Sequence, residues 1–361
     1  MEKYRVGIVG ATGMVGQRLI SLLKDHPWFE VNCVAASARS AGKTYREAVG
    51  ERWAFSWEIP EKVAGMTVVD AADIDEVSKH VDFVFCAVDM KKDEIRALEE
   101  AYAKHEIPVV SNNSACRGIE DVPMVVPEIN ADHLAVIEAQ KKRLGTKNGF
   151  IAVKPNCSIQ SYVPALTPLL DFEPEKVSVC TYQAISGAGK TFKTWPEMVD
   201  NVIPYIGGED EKSENEPLKL WGHVEDGKIV NATLPVISAQ CLRVACSDGH
   251  MAAVSVSFKK KPTIEQIKER WANYETEAQR LELPSAPKPF LQYFEDPSRP
   301  QTRLDRDFQN GFGVSIGRLR EDKLFDYRFV CLSHNTVRGA AGGGILTAEL
   351  LCRKGYIPHR V

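Results

Sequence analysis

The chain lacks the features that would place it in a membrane, on a nucleic acid or around a metal. Among its 361 residues no apolar stretch approaches the roughly 18 that a bilayer-spanning helix requires. Met1-Glu2-Lys3-Tyr4 runs directly into an apolar, strand-like segment with no signal-like stretch, so a cytoplasmic protein without a membrane partner is expected. Positive charge is not in excess. The 45 Lys and Arg face 49 Asp and Glu, a formal net charge of -4, which leaves no broad basic field for nucleic acid and only local sites for small anions. Zinc-like paired cysteines are missing too. The nine cysteines, Cys33, Cys86, Cys116, Cys157, Cys180, Cys241, Cys246, Cys331 and Cys352, are odd in number and mostly lie in apolar runs. Free thiols in a reducing compartment are expected, and no metal site. Internal repeats and low-complexity tracts are also absent.

What is present is enough apolar residue, 44% of the chain, for two packed cores. Tyr4 to Val9 reads as a short strand that enters Gly10-Ala11-Thr12-Gly13-Met14-Val15-Gly16, after which Leu19, Ile20, Leu22 and Leu23 recur at helical spacing. This is the strand, glycine turn and helix of a dinucleotide-binding unit. Strand-like runs follow at 31–35, 67–69, 82–88, 108–111 and 150–153, with helical stretches at 91–104 and 131–144 between several of them. That alternation predicts a doubly wound, largely parallel sheet. Beyond about residue 155 the strands lengthen and alternate with period two, at 176–184, 239–244, 251–258, 313–319 and 324–332, as in a mixed sheet with one covered face. The charged segment 207–217 and the proline-rich segment 283–300 read as surface excursions. The last stretch, 335–352, carries Gly339, Gly342, Gly343 and Gly344 ahead of an apolar helical face, and is expected to return to the first domain.

The chemistry concentrates at Lys154-Pro155-Asn156-Cys157-Ser158. Phe150 to Val153 reads as a buried strand, Asn156 as an N-cap, and 158–170 as a loosely helical run interrupted by Pro164 and Pro168. A cysteine at a helix N-terminus is favoured as thiolate, the form that attacks a carbonyl carbon. The second strand ends in Ala36-Ser37-Ala38-Arg39-Ser40, without the carboxylate that would meet a ribose 2′-hydroxyl. An arginine with two hydroxyls can hold a 2′-phosphate, so NADP is expected over NAD. A second glycine turn, Ile185-Ser186-Gly187-Ala188-Gly189, follows the strand ending near Gln183 and lets backbone approach a nicotinamide. Arg243 then closes one strand and His250 opens the next; with a nucleophile nearby, His250 is the natural general acid/base.

Taken together with Ser-Asn-Asn-Ser-Ala-Cys-Arg at 111–117, Val-Pro-Glu-Ile-Asn at 126–130 and His-Asn-Thr-Val-Arg-Gly-Ala-Ala-Gly-Gly at 334–343, these motifs resemble the aspartate-β-semialdehyde dehydrogenase family over essentially the whole chain. The branch most similar is the one found in archaea and fungi. The resemblance implies an α/β protein with a Rossmann-type NADP-binding domain over 1–155, completed by 335–361, and an α+β catalytic and dimerisation domain over 156–334. It implies Cys157 as nucleophile, His250 as acid/base and Gln183 as the residue that orients the intermediate. Arg243 would grip the substrate carboxylate, Arg117, Asn112 and Lys212 would stand near the phosphate, and Glu209 would face the substrate amino group, with Glu211 a competing candidate. Cofactor contacts are implied from Gly10, Thr12, Gly13, Met14, Val15, Ser37, Arg39, Ser40, Cys86, Ser186, Gly187, Asn335 and Thr336. A homodimer or homotetramer acting on small molecules is implied, by reductive dephosphorylation of aspartyl phosphate with NADPH. A malonyl-CoA reductase is the alternative within the same superfamily; a non-enzymatic NADP sensor, from another class, would need none of Cys157, Gln183 or His250.

Overall fold

The computed structural model describes residues 2–359. Six strands, β1 (Tyr4–Val9), β2 (Phe29–Ala36), β3 (Val69–Asp70), β4 (Phe83–Cys86), β5 (Val109–Ser111) and β6 (Ile151–Val153), form a sheet in the order β3-β2-β1-β4-β5-β6. Every pairing in it is parallel. Parallel strands require crossovers that cover the sheet, and β4, β5 and β6 are accordingly buried throughout. Strand order reverses between β1 and β4, which opens a crevice at their C-terminal ends where β1 enters Gly10.

The later strands are β7 (Pro174–Gln183), β8 (Val202–Ile203), a small hairpin of β9 (His223–Glu225) and β10 (Lys228–Val230), then β11 (Val236–Val244), β12 (His250–Phe258), β13 (Leu291–Phe294), β14 (Val314–Glu321) and β15 (Tyr327–Ser333). Seven of them form a mixed sheet, β13-β14-β15-β12-β7-β11-β8. Register decides what this sheet offers. β7 and β11 run parallel with Gln183 opposite Arg243, while antiparallel β12 starts at His250, its Met251 opposite Tyr182. Residues 60 or more apart in sequence thus meet at one end of the sheet. In β12 alternate residues from His250 are buried, as the period-two pattern predicts.

The expected C-terminal helix, Gly342–Arg353, does return to the first sheet: Ile345, Leu346 and Leu350 share one apolar cluster with Val6, Ile8, Phe83 and Phe85. It is entered through a π-helical turn, Val337–Ala341, whose Arg338 makes a buried bidentate pair with Glu128 at 2.8 and 3.1 Å. Removing one member of such a pair strands a charge at a cost of about 3–5 kcal/mol, which ties the 126–130 segment firmly to the C-terminal run.

Three expectations are corrected. The run 158–170 is not one helix but a 3-10 turn (Ser158–Gln160), a short α-helix (Tyr162–Leu166) and a second 3-10 turn (Thr167–Phe172); Pro164 and Pro168 lack the N–H groups a continuous helix needs. Segment 207–217 is not a surface excursion, since most of it forms the helix Glu209–Leu220, which buries Glu209, Ser213, Pro217 and Lys219. Segment 283–300 contains the edge strand β13, its prolines lying outside the paired residues.

Candidate active site

The cofactor end is shaped by glycine. Gly10 has φ 90°, and a Cβ there would lie 2.3 Å from the Ala87 carbonyl oxygen; one on Gly16 would lie 2.4 Å from the Gly10 carbonyl oxygen. Only bare backbone allows this tight turn and the close seating of the helix Met14–Leu23 upon it. No side chain caps that helix and no acid occupies its first turn, so its N-terminal amides face the crevice free for an anion. Gly10, Thr12, Gly13, Ser37, Arg39 and Ser40 all line the groove beside it. Lys43 and Arg52 line it as well, with a single carboxylate, Asp89. Neither cation stood out in the sequence, because each sits in the crossover after β2 without a motif of its own. These residues fit a dinucleotide carrying an extra phosphate. Cys86 stands apart from this lining. Its side chain is buried at the end of β4, 4.0 Å from Asn113 Nδ2, and the groove is lined instead by the following Ala87 and Val88.

Across the cleft, Cys157 Sγ lies 3.5 Å from His250 Nε2. The Ala184 N–H donates to His250 Nδ1 at 3.1 Å, and the Gly249 carbonyl beside the ring supports its protonated form. With Nδ1 accepting from Ala184, the neutral ring carries its proton on Nε2, toward sulfur; taking the thiol proton at Nε2 requires the Nδ1–H tautomer. Burial, then Glu209, pushes the Cys157 thiol up, against the pull of Lys154, Arg117 and Arg243. Burial, then Arg243, holds the His250 imidazole well below its ordinary value. The resting pair is thus neutral. This differs from the expected helix-terminal thiolate, because a three-residue 3-10 turn supplies almost no dipole and Asn156 Oδ1 already takes the Ser158 N–H at 2.7 Å.

One face of the helix Glu209–Leu220 organises the rest. Glu209 accepts from Asn156 Nδ2 (3.0 Å), Gln183 Nε2 (3.3 Å) and Lys212 Nζ (2.8 Å). Burial alone would raise its pKa, but these donors prevail and hold it below the usual carboxylate value. Glu211 is exposed, and of the two it is Glu209 that reaches Asn156 and Gln183. A turn on, Ser213 Oγ meets Ser158 Oγ at 2.9 Å. Glu216 accepts from the Asn156 N–H at 2.5 Å and from Arg117 Nη1 at 2.9 Å. Lys219 Nζ donates to the carbonyls of Arg117, Ile119 and Val122 at 2.7, 2.7 and 3.0 Å. Glu216 and Lys219 were not anticipated, although the spacing 209, 213, 216 and 219 is that of one helical face.

A cavity of about 210 Å³ joins the two halves. It is lined by Met14, Val15, Asn112, Arg117, Cys157, Ser186, Gly187, Asn335 and Thr336, nine residues expected at the site, and also by Lys154, Asn156 and Gly339. Gly187 and Gly339 are needed at close quarters. A Cβ on Gly187 would come 2.8 Å from Arg243 Nη1 and 3.0 Å from His250 Nε2; one on Gly339 would come 2.9 Å from Cys157 Cβ. Asn335 accepts from the Gly249 N–H and donates to Ser186 Oγ, both at 2.8 Å, so it links the histidine loop to the second glycine turn. Gln183, Glu209, Lys212, Arg243 and His250 lie outside this lining. Arg243, held by its Nη1 on the Ala184 carbonyl at 2.8 Å, stands behind Gly187.

This geometry agrees with comparisons to known proteins. Residues 5–137 match the family described as semialdehyde dehydrogenase, NAD binding domain, and residues 166–338 match its partner, semialdehyde dehydrogenase, dimerisation domain. Aspartate-semialdehyde dehydrogenase of Schizosaccharomyces pombe is 45% identical over 99% of this chain and 100% of its own length. That of Archaeoglobus fulgidus is 43% identical over 98% and 100%. The chain belongs to the aspartate-semialdehyde dehydrogenase family. A solved member of this family, the Candida albicans enzyme with NADP, superposes with a TM-score of 0.89 at 38% identity, covering 99% of this chain and all of that one. The archaeal and fungal affinity of the motifs is thereby borne out, and the α/β architecture with it.

Proposed function

We propose that the protein reduces aspartyl phosphate to aspartate semialdehyde with NADPH, through a thioester on Cys157, and runs the reverse oxidation with phosphate. The observation that carries this is the 3.5 Å contact of Cys157 with His250, Cys157 lining a cavity that also meets Met14 and Val15 at the start of the first helix. In this reading His250 takes the thiol proton as sulfur attacks the acyl carbon, the C–S bond forms and phosphate leaves with its bridging oxygen, acquiring from solvent the one proton that the overall reduction consumes. NADPH, when bound, supplies the hydride to the thioester carbon. His250 returns its proton to the resulting oxygen, then receives it again as the C–S bond breaks and the aldehyde forms, and sulfur recovers it as the thiol. The Asn156 and Ser158 amides are committed to Glu216 and to Asn156 Oδ1, whereas among the described residues the Cys157 N–H has no partner; it is the oxyanion donor in this scheme. Glu209 meets the substrate ammonium, which malonyl-CoA lacks, and the cavity is small for a coenzyme A thioester. Phosphate-dependent NADP reduction with aspartate semialdehyde, run beside malonyl-CoA with NADPH, tests the reading. Turnover only in the second assay would reverse it.

We further propose residues 1–155 with 335–361 as the cofactor domain and 156–334 as the catalytic and dimerisation domain, in a cytoplasmic homodimer or homotetramer. Tyr182, Val202, Tyr205 and Val236, exposed on the mixed-sheet region, support such an assembly.

Two assignments have their own tests. Arg39 is exposed at the groove with no acid on its strand end, so Arg39→Ala should lose a charge-assisted contact of roughly 1.5–3 kcal/mol and raise the KM for NADP about 10- to 100-fold. The KM for NAD should barely move; an unchanged NADP preference would eliminate Arg39 as the reader. Arg243 is assigned to the substrate carboxylate, whose two oxygens match a planar fork. Arg243→Lys should chiefly raise the semialdehyde KM, at a cost of roughly 1–3 kcal/mol, and steady-state kinetics at saturating NADP and phosphate will decide it.

A further inference from the structure

We propose that Glu216 is a positioning residue for the nucleophile: its carboxylate holds the Asn156 peptide N–H and the Arg117 guanidinium at once, and so fixes the turn that presents Cys157 and its amide. This rests on the functional reading above and adds a residue that touches no reacting group.

The helix Glu209–Leu220 grips residues 156–162 at successive turns. Glu209 takes Asn156 Nδ2 at 3.0 Å, Ser213 Oγ meets Ser158 Oγ at 2.9 Å, and Glu216 takes the Asn156 N–H at 2.5 Å. Pro217 adds another tie. Having no N–H, it leaves the Ser213 carbonyl one turn back without its helical donor, and the Tyr162 hydroxyl donates there instead at 2.5 Å. Of these contacts only that of Glu216 holds the main chain of the cysteine segment, one residue before Cys157. Position matters there because little slack remains. A Cβ on Gly339 would already come 2.9 Å from Cys157 Cβ, so the C-terminal run bounds the cysteine closely.

Two acceptor oxygens are needed for this. Oε2 takes the Asn156 N–H and Oε1 takes Arg117 Nη1 at 2.9 Å, with the arginine and glutamate side chains only 11% and 10% exposed. A glutamine in the same place offers one acceptor and one NH₂, so one of the two donors would be left buried and unpaired. Arg117 cannot shift to compensate. Lys219, on the same helix face, holds the Arg117, Ile119 and Val122 carbonyls, and the Asn112 carbonyl lies 3.1 Å from Arg117 Nη2. Charge adds a second consequence. Lys154, Arg117 and Arg243 pull the Cys157 thiol down against burial and Glu209, while His250 meets the sulfur from β12. Glu216 is the counter-ion of that arginine, so removing its charge favours the thiolate.

The test compares wild type with Glu216→Gln at saturating NADP and phosphate. E216Q should lower kcat about 10- to 100-fold, the effect expected when reacting atoms are misplaced by about 1 Å, while the KM values for semialdehyde and NADP stay within about threefold. Alkylation of Cys157 by iodoacetamide, read at that residue by mass spectrometry, should climb at lower pH than in wild type. Turnover then falls while the thiol gains reactivity, a combination that general damage to the fold would not produce. Glu216→Asp and Glu216→Asn are equal in size and differ in the second acceptor, so E216D should keep at least about fivefold more kcat than E216N. That pair decides the matter if E216Q folds poorly. A kcat for E216Q within about threefold of wild type, an alkylation profile unmoved or moved to higher pH, or equal rates for E216D and E216N overturns the assignment. Failure of wild type to turn over semialdehyde with phosphate would count instead against the functional reading, and the alkylation comparison would still stand.

Discussion

Cys157→Ala will lower turnover by about four orders of magnitude or more, because no other group at the cleft can form the thioester. The substitution removes one sulfur from a site where Gly339 already approaches the Cβ, so nothing new collides and the fold should persist. NADP affinity, read from cofactor fluorescence, should be nearly unchanged because the groove around Gly10 and Arg39 shares no contact with the sulfur. Mass spectrometry of wild type mixed with acyl phosphate and no reductant should show the acyl adduct, and the variant none. A variant keeping a tenth of wild-type rate would end the assignment. The raised thiol pKa adds a sign. Labelling of wild-type Cys157 by iodoacetamide should still be climbing at about pH 9, since the reactive thiolate forms only above the ordinary range.

How much of this was legible beforehand depends on whether the signal was local. Gly10, Cys157, Gln183, Arg243 and His250 stand in short motifs whose chemistry is carried by neighbours in sequence, and each can be singled out there. The two sheets were found as well, since period-two alternation and apolar runs report burial directly. The helix Glu209–Leu220 was not. Its buried face is built of Glu209, Ser213, Glu216 and Lys219, and burial of charge leaves no apolar stripe to read. Only the loops it grips, 117–122 and 156–158, make those charges tolerable in the interior. Lys154 was visible but silent for the same reason, because nothing in a sequence shows that a lysine will be sealed into a cavity beside an arginine. The broken run after Cys157 shows the opposite error. Apolar spacing suggested a helix, and the two prolines decided the geometry.

His250→Asn should lower kcat by about 10² to 10⁴ with a much smaller change in either KM. The ring lies at the start of β12 with Nδ1 fixed by Ala184 and its loop fixed by Asn335, so its one free function is at Nε2, 3.5 Å from sulfur. Asparagine can still take the Ala184 N–H, which preserves the sheet end, but it cannot carry a proton between the thiol and the substrate oxygen. Loss therefore falls on the chemical steps rather than on binding. The lowered pKa of the imidazole fixes the direction of the pH profile. In the free enzyme His250 stays neutral through the pH range where an ordinary histidine would charge, so no loss of kcat/KM from its protonation should appear near about pH 6.5. Rapid-mixing measurements separate the steps: in the variant both acylation by the acyl phosphate and hydride transfer to a preformed thioester should slow. If kcat is intact, or if only the KM values rise, His250 is a structural residue and the proton must travel another way.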